Sequence, residues 1–415
     1  MRPGPRLIML LEHLNRRLRE REAAALWRQR RVADSACAPL QHLAEGGEGT
    51  RALLAFCSND YLGLAAHPAL IDALAAGARR WGVGSGASAL VSGHATPHAA
   101  LEDELARWLA PYIPQAAVLG FCSGYMANLA LLTTLADAGA AIFADKLNHA
   151  SLIDGGLLAE ARMRRYPHAR LDLLDAMLAD STAALRLIVT DAVFSMDGDI
   201  APLPELLALA ERHDAWLIVD DAHGFGVLGE GGQGALAHFG LRSERIIYMG
   251  TLGKAAGVSG AFVAAHPLVV EALVQGARSY IYTTAPSPAL AHTQLASLAL
   301  IAGEEGAARR GHLNALVEAL RTGLAAVIAA HPHCGWRLAE SATAIQPLIV
   351  GDNAAAVALS AALEARGLRV PAIRPPTVPA GSARLRITLS AAHSRADVDR
   401  LCAALAQLAS EGEHP

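Results

Sequence analysis

Short apolar runs alternate with longer amphipathic segments through the middle of this chain. Each apolar run has the length of a buried strand, and each amphipathic segment has the periodicity of a helix. The predicted strands are "AAVLGF", "AAIFAD", "LRLIVTDAVFS", "AWLIVDDAH", "RIIYMG" and "GAFVAAH". Continuous apolar strands separated by helices predict an α/β fold, with a mostly parallel sheet covered by helices on both faces. In such sheets, ligands bind beyond the carboxyl ends of the strands.

The pattern changes twice along the 415 residues, which predicts three regions. Residues 1–55 contain a basic amphipathic helix, "HLNRRLREREAAALWRQRR", and a polar, turn-rich stretch, so we expect an N-terminal helical arm. Residues 56–297 carry the alternation and form the large central domain. Residues 298–415 combine longer helices with a few short strands, which predicts a smaller α+β C-terminal domain.

Charge and composition narrow the function to small-molecule chemistry. The net charge of -4 provides no basic surface for nucleic acid. The run "LIMLL" is far shorter than the ~20 residues of a membrane span, so we expect no signal peptide and no membrane association. Five cysteines without a CxxC pair favour a reducing compartment, which we take as the cytoplasm. The 17 histidines form no HExxH motif, so no metal site is predicted.

Several predicted strands end in polar or small residues. The turn after "VLGF" leads into a helix at Gly124 and Tyr125, whose backbone amides would suit a phosphate. His149 follows "AAIFAD", and Ser195 lies in the turn "FSMDGD". Each of these features also has a purely structural interpretation, as a helix start, a structural histidine or a turn rich in capping residues.

Asp220 and Lys254 carry more information because they follow neighbouring apolar strands. A carboxylate at the end of the buried run "WLIV" needs a cationic or hydrogen-bonding partner, although a structural network could supply one. A lysine among the small residues of "GTLGKAAG" suggests an amine with a lowered pKa that can form a Schiff base. Pyridoxal phosphate requires such a pair, since the lysine holds its aldehyde and the carboxylate keeps its ring nitrogen protonated.

Nine motifs in this chain resemble those of the α-oxoamine synthase family. They are "SNDYLGL", "GSGASALVSG", "SGYMAN", "NHAS", "FSMDGD", "VDDAHGFGVLG", "GTLGKAAGVSG", "AIRPPTVPAG" and "RLRITLSAAH". The resemblance implies a pyridoxal 5'-phosphate enzyme of fold type I, an acyltransferase that joins an amino acid to an acyl thioester with loss of carbon dioxide. The chain departs from common family patterns at Ala89, Leu90 and Ala255, which removes no catalytic group.

The resemblance assigns cofactor roles residue by residue. It implies that Lys254 is the Schiff-base lysine and proton shuttle, that Asp220 pairs with the ring nitrogen, and that His149 stacks on the ring. It places His223 and Ser195 near the phenolic oxygen of the cofactor. The implied phosphate contacts are the backbone of Gly124 and Tyr125, the hydroxyl of Thr251 and, from the other subunit of a homodimer, Thr283 or Thr284.

The resemblance also assigns substrate contacts. Arg374 in "IRPPT" is the implied clamp on the amino acid carboxylate, because a guanidinium can bind a carboxylate through two hydrogen bonds. Asn59 and Thr377 are its implied neighbours. Arg28, on the N-terminal helix, matches the arginine that meets the far carboxylate of the acyl chain.

Within the family, "AIQPLIVGDN" and "AIRPPTVPAG" are most similar to the branch that joins L-alanine to a pimeloyl thioester. The glycine-using branch, which takes acetyl-CoA, usually carries another residue at Pro376 and remains the alternative. Two further alternatives are an aminotransferase and an inactive partner subunit; the presence of Lys254 argues against the second. Active sites of this fold type form between two subunits, so we expect a C2 homodimer.

Overall fold

The fold was obtained as a computed structural model that describes residues 5–23, 26–27, 30–44 and 49–412, with residues 5–8 as backbone only. The strands are β1 Leu40–Ala44, β2 Thr50–Ala55, β3 Ala117–Phe121, β4 Ala140–Asp145, β5 Arg162–Tyr166, β6 Leu185–Asp191, β7 Trp216–Asp220, β8 Ile246–Thr251, β9 Ala261–Ala265, β10 Arg337–Leu338, β11 Ile345–Gly351, β12 Leu368–Arg369, β13 Ala372–Ile373 and β14 Ala383–Thr388.

Helices occupy most of the remaining described chain. They are α1 Pro5–Ala23, α2 Pro68–Trp81, α3 Thr96–Leu109, α4 Gly124–Leu135, α5 Ala150–Leu158, α6 Leu171–Ala179, α7 Leu203–Arg212, α8 Ala235–Phe239, α9 Pro267–Gly276, α10 Arg278–Ile281, α11 Pro288–Ala302, α12 Glu304–Ala330, α13 Asn353–Ala365 and α14 Arg395–Glu411. A π-helical turn at Ala89–Gly93 and a 3-10 turn at Pro332–Cys334 complete them.

A seven-stranded sheet forms the centre of the molecule, in the order β3-β9-β8-β7-β6-β4-β5. Only β9 runs antiparallel, so the sheet is mostly parallel as predicted. Its residues pack into two cores, one on each face: Leu217 and Val219 of β7 enter one core, and Ile218 enters the other. This alternation follows from the two-residue repeat of a strand and explains why β7 is apolar throughout.

The smaller C-terminal sheet has the order β10-β11-β14-β13 and is antiparallel. Helices α12, α13 and α14 pack together beside it. A third sheet, β1-β2-β12, joins the two ends of the chain, because β2 pairs in parallel with β12 at Leu54 and Leu368. The division of the chain near residues 55 and 297 stays a prediction.

The structure differs from the sequence-based prediction at three places: one predicted helix is shorter, and a strand and a hairpin were not predicted. The N-terminal helix ends at Ala23, whereas the pattern predicted helix to residue 31. The side chains of residues 9–23 are all exposed, so no tertiary packing extends this helix. Strand β5, "RMRRY", was missed because it is a charged edge strand, and the β1-β2 hairpin was missed because turn-rich polar residues surround it.

Helix α12 is, by length and composition alone, apolar enough to cross a membrane. Its leucine and valine side chains at 313, 316, 317, 320, 324 and 327 are buried in the protein core. The helix packs against α11 and α14, as the core helix of a globular domain does.

Candidate active site

The carboxyl ends of the central strands open onto a cavity of about 830 Å³. The predicted site residues that line it are Asn59, His149, Ser195, His223, Lys254 and Thr377. A larger groove of about 1230 Å³ lies between α12 and the loop after β6, and none of the predicted site residues lines it. The smaller cavity is therefore the candidate active site, because it holds the chemistry-bearing side chains.

Lys254 lies at the base of this cavity and is the end of a hydrogen-bonded chain. Its Nζ is 2.8 Å from Nε2 of His223, and Nδ1 of His223 is 2.5 Å from the hydroxyl of Tyr61. Burial lowers the pKa of Lys254 from 10.5 to about 8. Burial also lowers the pKa of His223 well below its usual value, with the Lys254 charge adding to the effect. The lysine is thus prepared to act as a nucleophile or a base near neutral pH.

Asp220, at the end of β7, begins a second chain of buried hydrogen bonds. One carboxylate oxygen accepts a 2.7 Å hydrogen bond from Nδ2 of Asn128, and the other accepts a 3.0 Å bond from the backbone N–H of Ala222. Burial and the Asp220 charge raise the pKa of the neighbouring Asp191 well above its usual value. Within the described residues, neither carboxylate forms an ion pair. A positively charged ring nitrogen would give Asp220 a countercharge in direct contact.

His149 continues the chain of Asp220 along the opposite wall. Its Nδ1 is 2.7 Å from the hydroxyl of Ser151, which in turn accepts a 2.9 Å bond from Nδ2 of Asn128. The backbone N–H of His149 donates to Asp191 at 2.7 Å, which fixes the turn that carries the ring. Burial lowers the pKa of His149, so the imidazole is kept neutral.

The start of α4 provides a candidate phosphate site. The helix begins at Gly124, and its N-cap residue Ser123 accepts a hydrogen bond from the backbone N–H of Met126. The amides of Gly124 and Tyr125 precede the first helical hydrogen bonds, so they have no intrahelical acceptor and can receive an anion. Thr251, at the end of β8, is buried and donates its hydroxyl to the carbonyl of Gly260.

Thr283 and Thr284 lie beside the turn before α4. They line a small cavity together with Cys122, and Thr284 forms an isolated bridge with Ser88. Their predicted contact with a phosphate of the other subunit stays a prediction.

Asn59 and Arg386 meet at the side of the cavity formed by the smaller sheet. The side-chain oxygen of Asn59 accepts bonds of 3.4 and 3.5 Å from the guanidinium of Arg386 and a 3.3 Å bond from the Tyr61 hydroxyl. Arg386 is buried and lines the cavity, and its Nη1 donates to Thr388 at 3.0 Å. A buried guanidinium facing Lys254 is suited to bind a carboxylate.

Arg374 and Thr377 follow β13 in one loop beside the cavity. The backbone N–H of Thr377 donates to the carbonyl of Arg374 at 3.1 Å, so one turn carries both residues. Thr377 lines the cavity, whereas Arg374 does not. The predicted contact at Arg28 lies outside the described residues.

Five site residues were missed by the sequence reasoning. They are Tyr61, Asn128, Ser151, Asp191 and Arg386. Polar residues inside apolar segments could have revealed two of them, since Asn128 interrupts the helix "YMANLALL" and Arg386 lies in the buried strand "ARLRIT". Tyr61 and Ser151 required knowledge of which loops meet.

Comparisons with known proteins agree with this geometry. The model of the family "Aminotransferase class I and II" matches residues 51–405. A relative from Leptothrix cholodnii, 8-amino-7-oxononanoate synthase, is 69% identical over 97% of this chain and 100% of its own. A serine palmitoyltransferase from Sphingomonas wittichii superposes with a TM-score of 0.87 at 31% identity, covering 98% of this chain and 100% of its own. A structure of SPT with PLP gives a TM-score of 0.87 at 28% identity, covering 97% and 98% of the two chains.

Proposed function

The chain belongs to the class I and II aminotransferase family and, within it, to the α-oxoamine synthases, and we propose that it makes 8-amino-7-oxononanoate from L-alanine and a pimeloyl thioester. The reaction is a decarboxylative condensation that releases carbon dioxide and the free thiol carrier, as a step of biotin biosynthesis. The observation that carries the proposal is Lys254 in the cavity, just past β8, with the buried Asp220 at the end of the neighbouring strand β7, within a chain 69% identical to a relative of that name.

The donor set fits pyridoxal 5'-phosphate. Asp220, buried and without an ion pair among the described residues, would hold a protonated ring nitrogen, and the neutral imidazole of His149 would stack on the ring. The helix-start amides of Gly124 and Tyr125 would hold the phosphate. The hydroxyl of Thr251 would join them by turning its proton away from the carbonyl of Gly260. When bound, this cofactor supplies an electron sink that stabilises negative charge at the α-carbon of an amino acid.

Lys254 is the base in this proposal. Its Nζ, with a pKa lowered to about 8, takes the proton from the α-carbon of L-alanine and returns it to the product. His223, 2.8 Å away, orients the amine, and Tyr61 holds the imidazole from its other side. Ser195 and His223 line the wall next to the amine, where the phenolic oxygen of the cofactor is expected.

The substrate carboxylates are matched by arginines. Arg374 is proposed to bind the carboxylate of L-alanine, with Asn59 and Thr377 beside it. Arg386 is added to this set because its buried guanidinium contacts Asn59 and lines the cavity. Arg28 is proposed to meet the far carboxylate of the pimeloyl chain.

We further propose a homodimer in the cytoplasm, with the active site completed at the subunit interface. The five cysteines are all free, which is compatible with a reducing compartment. Exposed apolar side chains at Val83, Val91 and Tyr282, between 71% and 81% exposed, support a surface that a second copy covers.

One experiment tests the reaction and its nearest alternative. Purified protein loaded with cofactor is incubated with L-alanine or glycine against pimeloyl-CoA, pimeloyl-acyl carrier protein and acetyl-CoA, and the products are identified by mass. We expect 8-amino-7-oxononanoate from L-alanine with one or both pimeloyl donors. Turnover with glycine and acetyl-CoA alone would instead assign the 2-amino-3-ketobutyrate CoA ligase reaction.

A further inference from the structure

The loop of residues 195–199, here called the SMDGD loop, is held by the C-terminal part of the chain. Three of its backbone carbonyls accept hydrogen bonds from side chains of that part. The bonds are Arg386 Nε to Ser195 at 2.6 Å, Arg384 Nη1 to Met196 at 3.1 Å, and Ser341 Oγ and Thr343 Oγ1 to Gly198 at 2.8 and 3.0 Å. The loop that carries Ser195 is therefore fixed from outside the central sheet.

Arg384 also contacts the SMDGD loop through an ion pair. Its Nη1 forms this 2.6 Å ion pair with Asp197, and only 4% of its side chain is exposed. Its other donors bind the backbone and hydroxyl of Ser382. A buried guanidinium without its carboxylate would leave an uncompensated charge, so Arg384 and Asp197 stabilise each other's position.

The backbones also approach closely at Gly198. Its φ is +76°, a left-handed conformation that favours glycine. A Cβ atom at this position would clash with the carbonyl oxygen of Ile345, at the start of β11. The contact between the loop and the smaller sheet thus depends on a residue without a side chain.

The opposite end of the loop is tied to the turn that carries His149. His168 bridges two carboxylates, with Nε2 2.9 Å from Asp199 and Nδ1 3.1 Å from Asp145. The two carboxylates raise the pKa of His168 to about 10 despite its burial, so the bridge is charged at neutral pH. Asp145 accepts a hydrogen bond from the backbone N–H of Leu147, two residues before His149.

We propose that Arg384 and Asp197 are a positioning pair, which sets the SMDGD loop so that Ser195 and Arg386 take their places in the cavity together. Arg384 and Arg386 are two residues apart in β14 and face the same side of the strand. A shift of the loop would therefore move the carbonyl that holds Arg386 Nε along with Ser195. The inference rests on the proposed function, because that proposal includes Arg386, together with Arg374, in the set that binds the L-alanine carboxylate.

The test uses four variants: Arg384→Gln, Asp197→Asn, the double variant that combines these two substitutions, and the conservative Arg384→Lys. The matched control is Arg369→Gln, because Arg369 is an arginine of the same part of the chain that binds Gln41 rather than the loop. Hydrogen exchange of the peptide covering residues 194–200 is measured with and without cofactor, and kcat and KM for L-alanine are measured on the loaded enzyme.

We expect faster exchange at residues 194–200 in Arg384→Gln and Asp197→Asn, but not in Arg369→Gln. The KM for L-alanine should rise about tenfold, with little change in kcat, and the double variant should resemble either single variant. Arg384→Lys should recover part of the loss. Should Arg384→Gln fail to fold, Asp197→Asn and Arg384→Lys carry the same comparison.

Unchanged exchange at residues 194–200, or effects of the two substitutions that multiply in the double variant, would overturn the pairing. An altered exchange with an unchanged KM for L-alanine would also overturn it, because the pair would then be only structural. The proposed function fails separately, if the unmodified protein does not convert L-alanine and any pimeloyl thioester.

Discussion

Two chains of hydrogen-bonded side chains border the cavity, and they differ in the charge that they carry. One ends in a group that can exchange a proton, and the other holds a fixed negative charge. The chain Tyr61, His223 and Lys254 ends in an amine whose pKa burial has lowered to about 8, so that end can gain and lose a proton. The chain Asp220, Asn128, Ser151 and His149 holds a carboxylate by neutral donors. The comparison shows how burial at one edge of a sheet can prepare a proton carrier and a fixed countercharge side by side.

Removing the proton carrier should have the largest effect. Lys254→Ala should lower turnover by about 10²- to 10⁴-fold, because burial lowers the pKa of His223, the nearest other base, well below its usual value. Product formation measured by mass gives the rate. Turnover at the native level in this variant would end the proposed mechanism.

The same lysine can be identified without measuring activity. The chain has two lysines, Lys146 and Lys254. Borohydride reduction of the loaded protein should fix a pyridoxyl group on the peptide of Lys254 and leave the Lys146 peptide unmodified. Labelling of Lys146, or of neither peptide, would contradict the assignment.

Removing the fixed countercharge should have the next largest effect. Asp220→Asn should lower turnover by about 10²-fold, because an amide cannot stabilise a protonated ring nitrogen. Steady-state kinetics on cofactor-loaded protein gives the loss. The matched control is Asp221→Asn: Asp221 binds Tyr248 and the backbone of Ala235 instead of Asn128. Equal losses in the two variants would mean that Asp220 is only structural.

The fold could be predicted further than the site. Strands such as β7 and β8 can be recognised in the sequence because both of their faces are buried, which makes each of them a continuous apolar run. The positions of Lys254, Asp220 and His149 could be predicted because Asp220 ends β7, and Lys254 and His149 lie within four residues of the ends of β8 and β4. Arg386 reaches the cavity, and Tyr61 reaches His223, from a strand and a loop outside the central sheet, and no local periodicity predicts which of these segments will meet. The hairpin of β1 and β2 could not be predicted because polar, turn-rich residues surround it, and its pairing with β12 could not be predicted because β12 lies near the other end of the chain.

Lys254, at the end of the hydrogen-bonded chain that starts at Tyr61, should also show a pH midpoint in its reactivity. In cofactor-free protein, only the neutral form of Lys254 reacts with an acylating reagent, so labelling should rise about tenfold per pH unit up to about pH 8 and then level off. Mass spectrometry of the Lys254 peptide measures this directly. A rise that continues to pH 10 would mean that burial does not lower this pKa.

The same shift has a consequence for stability. Between about pH 8 and 10.5 the unfolded chain keeps a proton on Lys254 that the folded chain has lost. The contribution of this group to the free energy of unfolding therefore increases as the pH rises through that window. Lys254→Met should flatten this part of the pH dependence in chemical denaturation.

The smallest expected loss of activity comes from Tyr61, at the other end of the hydrogen-bonded chain that ends in Lys254. Tyr61→Phe removes the hydroxyl that meets Nδ1 of His223, and it should lower kcat by about tenfold or less, the value of one buried hydrogen bond. Steady-state kinetics measures the loss. Tyr248→Phe is the control, because its hydroxyl binds Asp221 away from the cavity. A larger loss of kcat from Tyr61→Phe than from Asp220→Asn would contradict the predicted ranking of these two substitutions.

The pairing of β2 with β12 also governs when the protein can finish folding. The arginine after Leu368 binds Gln41, 328 residues earlier in the chain. A ribosome needs roughly 15 to 60 s to make such a length, and during that time β2 has no partner on that side. Until β12, in about the last eighth of the chain, has been made, the N-terminal hairpin of each new chain has an unpaired edge with which other new chains could pair.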